Sequence, residues 1–523
     1  MEKVNRSRME MDTLLKTQDK NYEQMRSRDV QSQIKLYNTD WKEKEITGSN
    51  AFREKGNRSM QILAGIAASL SAAVLAANTV WNSPALPHLK SNHSNFFVTD
   101  SQGGWIISIY HFADIIGALL NIFFIDRIGR KLSLLLSGIP AVISWILIIY
   151  AENYLYIFIA KFISGIGQGV TYNALVIYLA EIAEKDIRGT LVSIMRTIQC
   201  LFYFGLAAVG TFFSYEILNL SALSVPVLFL IVFSFMPESP YFLLLQGRDE
   251  DAMKSLMKLR GMSDSKTLTV DLGEMKLDIE DKQKHKNNSL KDLILKSYNR
   301  KCLAIVMCLK LTQVMAGHSA ILNNTQEIFS LSGSSISPKI SVLILAGIRL
   351  ISTFGASGIM DRISKRITFL VCGILAALFL TTVGLFFFLK FYVKADVSSI
   401  TWLPLAALVL FEIVYYVGIA VIPYILQGEL FSMNVKGTAV AFSMIIGSTF
   451  SFISNTGYNF ISRNAGVFVA FWFYATVSFI GSVLTFWITP ESNGKTLEEI
   501  HAMQNPEMKM KLELERKSRS VFS

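Results

Sequence analysis

The chain has 523 residues, of which 51% are hydrophobic and only 17% are charged. This composition is too apolar for an ordinary soluble chain of that length, and it predicts an integral membrane protein. The net charge of +10 comes from basic residues gathered in the tails and one set of loops, a pattern typical of membrane orientation and not of nucleic-acid binding. All four cysteines fall in apolar segments, so we expect no metal, redox or cofactor chemistry.

Residues 1–60 are polar, lack the pattern of a cleaved signal peptide and are interpreted as a cytoplasmic tail. Twelve apolar stretches of roughly 20 residues follow, each long enough to cross about 30 Å of hydrocarbon as a helix. The first six lie near 61–80, 104–125, 132–150, 155–179, 190–213 and 216–236, and the last six near 302–322, 340–360, 367–389, 402–425, 438–460 and 467–488. The sequence thus predicts an all-α membrane protein built as two six-helix halves.

Two polar segments complete this organisation. Residues 237–301 separate the half at 61–236 from the half at 302–488, and they contain a short amphipathic stretch at 247–257. Residues 489–523 form a basic C-terminal tail. We interpret both segments as cytoplasmic.

The distribution of Lys and Arg among the short loops predicts the orientation, because these residues favour the cytoplasm. One set of loops is rich in them, including Arg127, Arg130, Lys185 and Arg188, whereas the other set holds few. We therefore expect a multi-pass protein of the plasma membrane with both termini cytoplasmic. The sequon at Asn92 falls in the first outer loop, where a glycan could be added.

Three signatures occur once in each half at matching positions. Asp126–Lys131 follows the second span and Asp361–Arg366 the eighth; Glu181–Thr190 follows the fourth and Glu429–Thr438 the tenth; Pro237–Ser239 closes the sixth and Pro490–Ser492 the twelfth. The offsets 361 − 126 = 235, 429 − 181 = 248 and 490 − 237 = 253 differ only by loop length. The halves are therefore interpreted as an internal duplication.

A parallel duplication of six spans is typical of carriers in which two bundles rock around a solute site near mid-membrane. The repeated charges could form a cytoplasmic gate that pairs while the cavity opens outward. The residues predicted for this gate are Arg127, Arg130, Glu181, Arg188, Glu238, Arg362, Arg366, Glu429, Lys436 and Glu491. The alternative is that the charges only fix topology and cap helices, since exposed pairs contribute about 0–1 kcal/mol each.

These motifs, together with residues 81–87, 178–181 and 237–244 and the C-terminal segment 490–496, resemble the sugar porter family of the major facilitator superfamily. Within it the chain is most similar to the insect-type facilitated trehalose transporters. The resemblance covers about residues 60–500. It implies the major facilitator fold, facilitated transport of a sugar such as trehalose or a hexose, and a charge network that latches the outward-facing state.

The resemblance also implies a solute site, although many of the family's sugar contacts are replaced here. Gln313 matches a seventh-helix glutamine, followed by Asn323 and Asn324. On the tenth helix, Tyr416 stands at a glutamate position and Tyr424 at a tryptophan position, and the change around 418–424 indicates a weakened helix break. Arg196 and Arg349 stand where relatives have neutral amides. The predicted solute-binding residues are Gln313, Asn323, Asn324, Arg196, Arg349, Tyr416 and Tyr424.

Several further charges fall within predicted spans, where a charge costs about 2.5–3.5 kcal/mol even on the lenient insertion scale. Lys161 is interpreted as structural, and the alternative for Arg196 and Lys310 is that each reaches the membrane surface along its own stem. Arg349 either pairs internally with Asp114 or Glu412 or binds solute. The resemblance implies that a proton symporter would carry its coupling carboxylate in the first span, which contains no Asp or Glu here. Facilitated transport is therefore favoured over proton symport, although Asp114 or Glu412 could carry a proton.

Three functions follow from these observations: a sugar carrier, a carrier of a small organic anion, and a non-transporting solute sensor. An enzyme is not expected, because no catalytic set or phosphate loop is evident. The expected partners are a small-molecule solute and the lipid bilayer, with no nucleic acid, and the protein is expected to function as a monomer.

Overall fold

The structure is a computed structural model that describes residues 57–490, except 93, 185, 263–264, 287–288, 360–363 and 432. A few side chains within helices, including that of Lys436, are also not described. Predictions for Arg362, Glu491 and most of both tails therefore lie outside the described residues. All regular elements in the described part are helical, and the all-α prediction is confirmed.

The first half consists of six long helices joined by short loops. They are α1 (Ser59–Leu89), α2 (Asp100–Ile128), α3 (Arg130–Ile149), α4 (Tyr154–Ile182), α5 (Arg188–Phe212) and α6 (Tyr215–Ser234). Helix α1 runs 89 − 80 = 9 residues beyond its predicted end and contains Pro84 and Pro87. Prolines are tolerated in membrane helices because neighbouring helices and side chains satisfy the backbone groups that they free.

In the described part of the linker between the halves, four helices of 6 to 22 residues fold outside the spans. They are α7 (Pro240–Leu245), α8 (Asp249–Arg260), α9 (Ser265–Lys286) and α10 (Ser289–Leu295). Helices α7, α8 and α9 share a small apolar cluster that includes Phe242, Leu256 and Leu268. The predicted amphipathic stretch at 247–257 overlaps α8, which buries its apolar side in this cluster.

The described part of the second half contains nine α-helices, a 3-10 turn at Ser398–Ile400 and two π-helical turns. They are α11 (Ser297–Met315), α12 (His318–Asn323), α13 (Thr325–Ser332), α14 (Pro338–Ile359), α15 (Lys365–Phe388), α16 (Leu403–Val414), α17 (Ile422–Leu430), α18 (Met433–Asn464) and α19 (Val467–Ile488), with π turns at Leu389–Val393 and Tyr415–Ile419. In the described chain, twelve helical stretches are long and apolar enough to cross a membrane. Helices α11 and α12 form the seventh span, and α16 to α17 form the tenth.

Both the seventh and the tenth span are interrupted. Gly317 separates α11 from α12 with φ of +80°, and a Cβ there would lie 2.3 Å from the ring of Tyr474, so glycine is required. In the tenth span, the π turn at Tyr415–Ile419 precedes Pro423, which lies in the first turn of α17. The expectation of a weakened break was wrong: the missing hydrogen-bond donor of the proline and the π turn interrupt the helix without extra glycines.

Each half has its own apolar core, and two helix pairs form the seams between the halves. Trp81, Trp145 and Phe229 lie in the first core, and Phe369 and Phe411 in the second. Helix α2 packs along α18, α5 packs along α14, and α1 contacts α12 and α13. These contacts leave a space between the halves that is lined by α5, α14 and the interrupted spans.

We name the two ends of the helix bundle by their residues. The motif face is the end that carries Asp126–Lys131, Glu181, Lys365 and Glu429. The opposite face is the end that carries Lys90, Asp100 and Glu327.

Candidate functional site

A cavity of about 200 Å³ lies between the halves. Helix α5 of the first half contributes Arg196, Gln199 and Cys200, whereas all other lining residues belong to the second half. Of the predicted solute-binding residues, the structure places Gln313, Arg196, Arg349, Tyr416 and Tyr424 in this wall. Asn323 and Asn324 lie elsewhere.

Arg349 lies between two aromatic rings. Its guanidinium carbon is 4.3 Å from the ring centroid of Tyr203 and 5.3 Å from that of Tyr416. Its Nε and Nη1 atoms are buried and have no hydrogen-bond partner among the described residues. The rings contribute about 0.5–2 kcal/mol of cation–π attraction, but they leave these two N–H donors unsatisfied, and each costs about 1–3 kcal/mol when left unpaired in a buried site.

The alternative in which Arg349 forms an internal ion pair was wrong, because neither carboxylate contacts it. The Oε2 atom of Glu412 lies 3.2 Å from Nε2 of His318, and the ring of His318 stacks on Tyr415 at 4.0 Å. Asp114 faces Ser448 and Gln168. Sequence reasoning missed His318 as a cavity residue; the break after Gly317 directs it toward the tenth span.

Two further cations contact Tyr424. The Nζ atom of Lys310 lies 3.3 Å from its ring centroid, and the guanidinium of Arg196 lies 5.0 Å from it. Lys310 also donates to Oε1 of Gln313 at 3.1 Å. The expectation that Lys310 reaches the membrane surface was wrong, since only 3% of the residue is exposed.

Gln313 binds the interrupted backbone of the tenth span. Its Nε2 donates to the carbonyl oxygens of Ile419 and Ala420 at 3.2 and 2.8 Å. These carbonyls lie at the end of the π turn, where regular helical bonding is lost. Gln313 thus lines the cavity while it holds the break in place.

Neutral polar side chains complete the cavity wall, and the sequence analysis did not predict them. They are Gln199, Ser319, Thr353 and Ser451. Gln199 lies one turn after Arg196 on α5, so recognition of Arg196 as a wall residue would also have identified Gln199. Together with Tyr415, Tyr416 and Tyr424, these groups offer hydroxyl and amide partners beside aromatic rings.

Asn323 belongs to a hydrogen-bond chain that joins the halves away from the cavity wall. It accepts from Nδ2 of Asn82 at 2.9 Å and donates to Oδ1 of Asn455 at 2.9 Å. Asn324 lines a second cavity, of about 320 Å³, at the opposite face. The two asparagines therefore lie beside contacts that close the opposite face.

Lys90 connects the halves at that face. Its Nζ lies 2.7 Å from Asp100 and 2.8 Å from Glu327. Burial opposes the lysine charge, but Glu327 and Asp100 outweigh burial, and the pKa of Lys90 is raised. Ser83 accepts from the backbone of Gln326 beside this cluster, which adds a second cross-half contact.

The predicted gate residues of the first half cluster around Arg130. Its Nε lies 2.9 Å from Glu181, whose other contact is the hydroxyl of Ser239. Glu238 accepts from the backbone N–H groups of Lys131 and Ser239. Arg127 and Arg188 lie exposed at the same face.

In the second half, Lys365 takes the role predicted for its neighbour. Its Nζ lies 2.5 Å from Oε1 of Glu429, whereas Arg366 donates to the carbonyl of Phe486 at 2.5 Å. The offset 365 − 130 = 235 equals that of the first motif, so Lys365 matches Arg130. Ion pairs between described residues at the motif face lie within one half, within the linker, or between the first half and the linker.

Two other predicted residues lie apart from the cavity. Lys161 is fully buried beside Trp81, with Nζ 4.3 Å from that ring centroid and 3.1 Å from the carbonyl of Asn78. This enclosed position agrees with a structural role. Asn92 is exposed in the loop between α1 and α2, at the opposite face.

Comparison with known proteins shows similarity along nearly the whole described chain. Residues 58–503 match the family model described as "Sugar (and other) transporter". The facilitated trehalose transporter Tret1 of Culex quinquefasciatus is 31% identical over 444 residues, which cover 84% of this chain and 85% of that one. The Tret1 of Anopheles gambiae is 29% identical over 441 residues, and the match spans 84% of this chain but only 55% of that relative.

Solved structures share the fold. The inward-open xylose transporter XylE from E. coli has a TM-score of 0.68 and 20% identity, with coverage of 84% of this chain and 99% of that one. The proton:xylose symporter XylE bound to 6-bromo-6-deoxy-D-glucose has a TM-score of 0.69 and 19% identity, with coverage of 86% and 100%. At such identities the likeness concerns the fold alone.

Proposed function

The chain belongs to the family of sugar (and other) transporters, and from that premise we propose that it is a facilitated carrier that moves a small sugar across the plasma membrane by alternating access. The observation that carries this proposal is the cavity shared by α5 of the first half and the interrupted spans of the second. A solute bound there contacts both halves, so its binding can be coupled to their rocking.

The contacts at the two faces support an inward-facing state. Lys90 with Glu327 and Asn82 with Asn323 join the halves at the opposite face, whereas the described ion pairs of Arg130 and Lys365 remain within their own halves. In the proposed cycle the opposite face is extracellular and the motif face cytoplasmic. Rocking breaks the Lys90 contacts and brings the two motif clusters together.

Trehalose and hexoses are the proposed solutes, by similarity to the named relatives. The neutral wall residues Gln199, Ser319, Thr353 and Ser451 can exchange hydrogen bonds with sugar hydroxyls, and the tyrosines can pack against the sugar face. The first span carries no carboxylate, which favours facilitated transport over proton symport. We propose that the carrier is not an enzyme and works as a monomer with both termini cytoplasmic.

Uptake of labelled trehalose and glucose into liposomes containing the purified full chain tests this proposal. We expect saturable uptake that stops when the gradient is dissipated and does not follow an imposed proton gradient. The Gln199→Ala and Ser451→Ala variants should raise KM. Arg300 is exposed at the start of α11, and Arg300→Gln serves as the matched control. Specific binding without flux would favour a sensor.

A further inference from the structure

We propose that the transported solute is an acidic sugar, whose carboxylate or phosphate group binds at Arg349 with Arg196 completing the anion site. The inference rests on the proposed function and narrows its substrate class. It begins with the charges around the cavity. Arg196 and Arg349 line it, Lys310 contacts its wall at Tyr424, and the carboxylate nearest to them, Glu412, contacts His318.

Arg349 is prepared to bind an anion. The guanidinium carbon lies over the rings of Tyr203 and Tyr416, and a guanidinium makes hydrogen bonds only in its own plane. Its buried Nε and Nη1 atoms, which lie on different edges of that plane, have no hydrogen-bond partner among the described residues. N–H donors held in one plane match the oxygens of a carboxylate or phosphate in geometry and charge.

Arg196 supplies a second cation from the other half. It lies on α5, whereas Arg349 lies on α14, and these helices form one seam between the halves. The ring of Tyr424 contacts both the guanidinium of Arg196 and the ammonium of Lys310, which holds both cations at the cavity wall without neutralising them. One anion bound by Arg349 and Arg196 therefore contacts both halves.

A neutral sugar accounts less well for this arrangement. Hydroxyls can accept from Arg349, but they leave two arginines and a lysine beside a single carboxylate that already contacts His318. Uncompensated charge in a membrane interior is unfavourable, so a carrier of neutral solutes gains nothing from replacing neutral side chains with cations here. An acidic sugar supplies the missing charge and uses the neutral wall groups for its hydroxyls.

Paired solutes in liposomes containing the full chain provide the test: glucuronate and glucose 6-phosphate against glucose, at membrane potentials set by potassium and valinomycin. We expect at least one acidic sugar to enter at least tenfold faster than glucose, with a rate that depends on potential. Arg349→Gln should reduce that uptake at least tenfold and Arg196→Gln severalfold, and each variant should lower the uptake of the acidic sugar by a larger factor than the uptake of glucose. Arg349→Lys should restore part of the acidic uptake, and Arg300→Gln should match the native chain.

The acidic-solute proposal fails if glucose or trehalose is carried independently of potential and neither acidic sugar is carried or competes. The proposed function then stands. If no solute enters, the proposed function fails, and thermal shifts of the detergent-solubilised chain decide the binding question. Stabilisation by either acidic sugar but not by glucose, lost in Arg349→Gln, supports the anion site. Equal thermal shifts for all three solutes, or no shift for any of them, overturn the anion site. If Arg349→Gln does not fold, Arg196→Gln is used in its place.

Discussion

Lys365 occupies the position in the second half that Arg130 occupies in the first half. Arg130 contacts Glu181 near the end of the fourth span, and Lys365 contacts Glu429 near the end of the tenth span. Arg130 binds Glu181 at 2.9 Å and Lys365 binds Glu429 at 2.5 Å. The two pairs differ in surroundings, because the side chain of Arg130 is 6% exposed and that of Lys365 is 14% exposed. The duplication therefore preserves one contact in two environments.

We predict that Glu181→Gln destabilises the fold more than Glu429→Gln does. Loss of Glu181 leaves the buried guanidinium of Arg130 with only the more exposed carboxylate of Asp126, at 3.3 Å, so the cost should be substantial but below the about 3–5 kcal/mol of a fully buried pair. The more exposed Lys365 pair should cost about 1 kcal/mol or somewhat more. Thermal unfolding in detergent measures both, and equal losses in the two variants would contradict the difference in burial.

Both glutamate variants should also slow the exchange of solute and favour the inward-open state. Each variant removes a negative charge from one motif cluster, and we propose that this charge helps the two clusters pair when rocking brings them together. Counterflow of labelled sugar measures exchange, and thiol labelling of Cys200 in the cavity wall measures opening toward the motif face. Unchanged flux and labelling in both variants would leave the motifs as topology and capping signals only.

At the opposite face, Lys90→Met should open the outer contact. The raised pKa of Lys90 means that the ion pairs stabilise closure fully below the ordinary value of 10.5 and weaken only as pH rises through the raised value. The equilibrium constant for closure of the opposite face should therefore not change with pH near neutrality through titration of Lys90, but Lys90→Met should reduce it severalfold. Outer accessibility of a cysteine introduced at Tyr458, in the wall of the second cavity, measures the change. No difference from the native chain would remove Lys90 from the gate.

Glu412 should couple energetically to His318 more strongly than to Arg349. The Glu412 carboxylate contacts the His318 ring at 3.2 Å, whereas Arg349 lies against Tyr203 and Tyr416. A double-mutant cycle of Glu412→Gln with His318→Gln should give a coupling of about 1–3 kcal/mol, and the cycle with Arg349→Gln should give less. The reverse order, measured by thermal unfolding, would restore the internal ion pair.

Hydropathy predicted the spans and the internal duplication, because the length of a membrane helix and its apolar composition are local properties. The residues of the cavity wall could not be predicted from hydropathy, because hydropathy does not show which side of a helix faces which neighbour. Arg349 and Glu412 both lie near mid-span in the sequence, yet in the folded protein Arg349 contacts Tyr203 and Tyr416 whereas Glu412 contacts His318. Lys365 was predictable, since its offset from Arg130 equals that of the repeated motif.

The sequence also predicted that Asn92 lies in a loop between two spans. The side of the membrane on which this loop lies is to be measured. We predict that the exposed Asn92 accepts a glycan in cells, and that a cysteine at this position reacts with an impermeant thiol reagent before permeabilisation. Labelling only after permeabilisation would reverse the orientation and make the motif face extracellular.

Entry of labelled trehalose, glucose, glucuronate and glucose 6-phosphate into liposomes containing the purified chain measures whether the protein is a facilitated sugar carrier. We predict saturable entry of at least one of these sugars above the level in protein-free liposomes, faster for an acidic sugar and reduced by Arg349→Gln. Entry of none of them through a folded protein, with no trans-stimulation by an internal sugar, would contradict a facilitated sugar carrier.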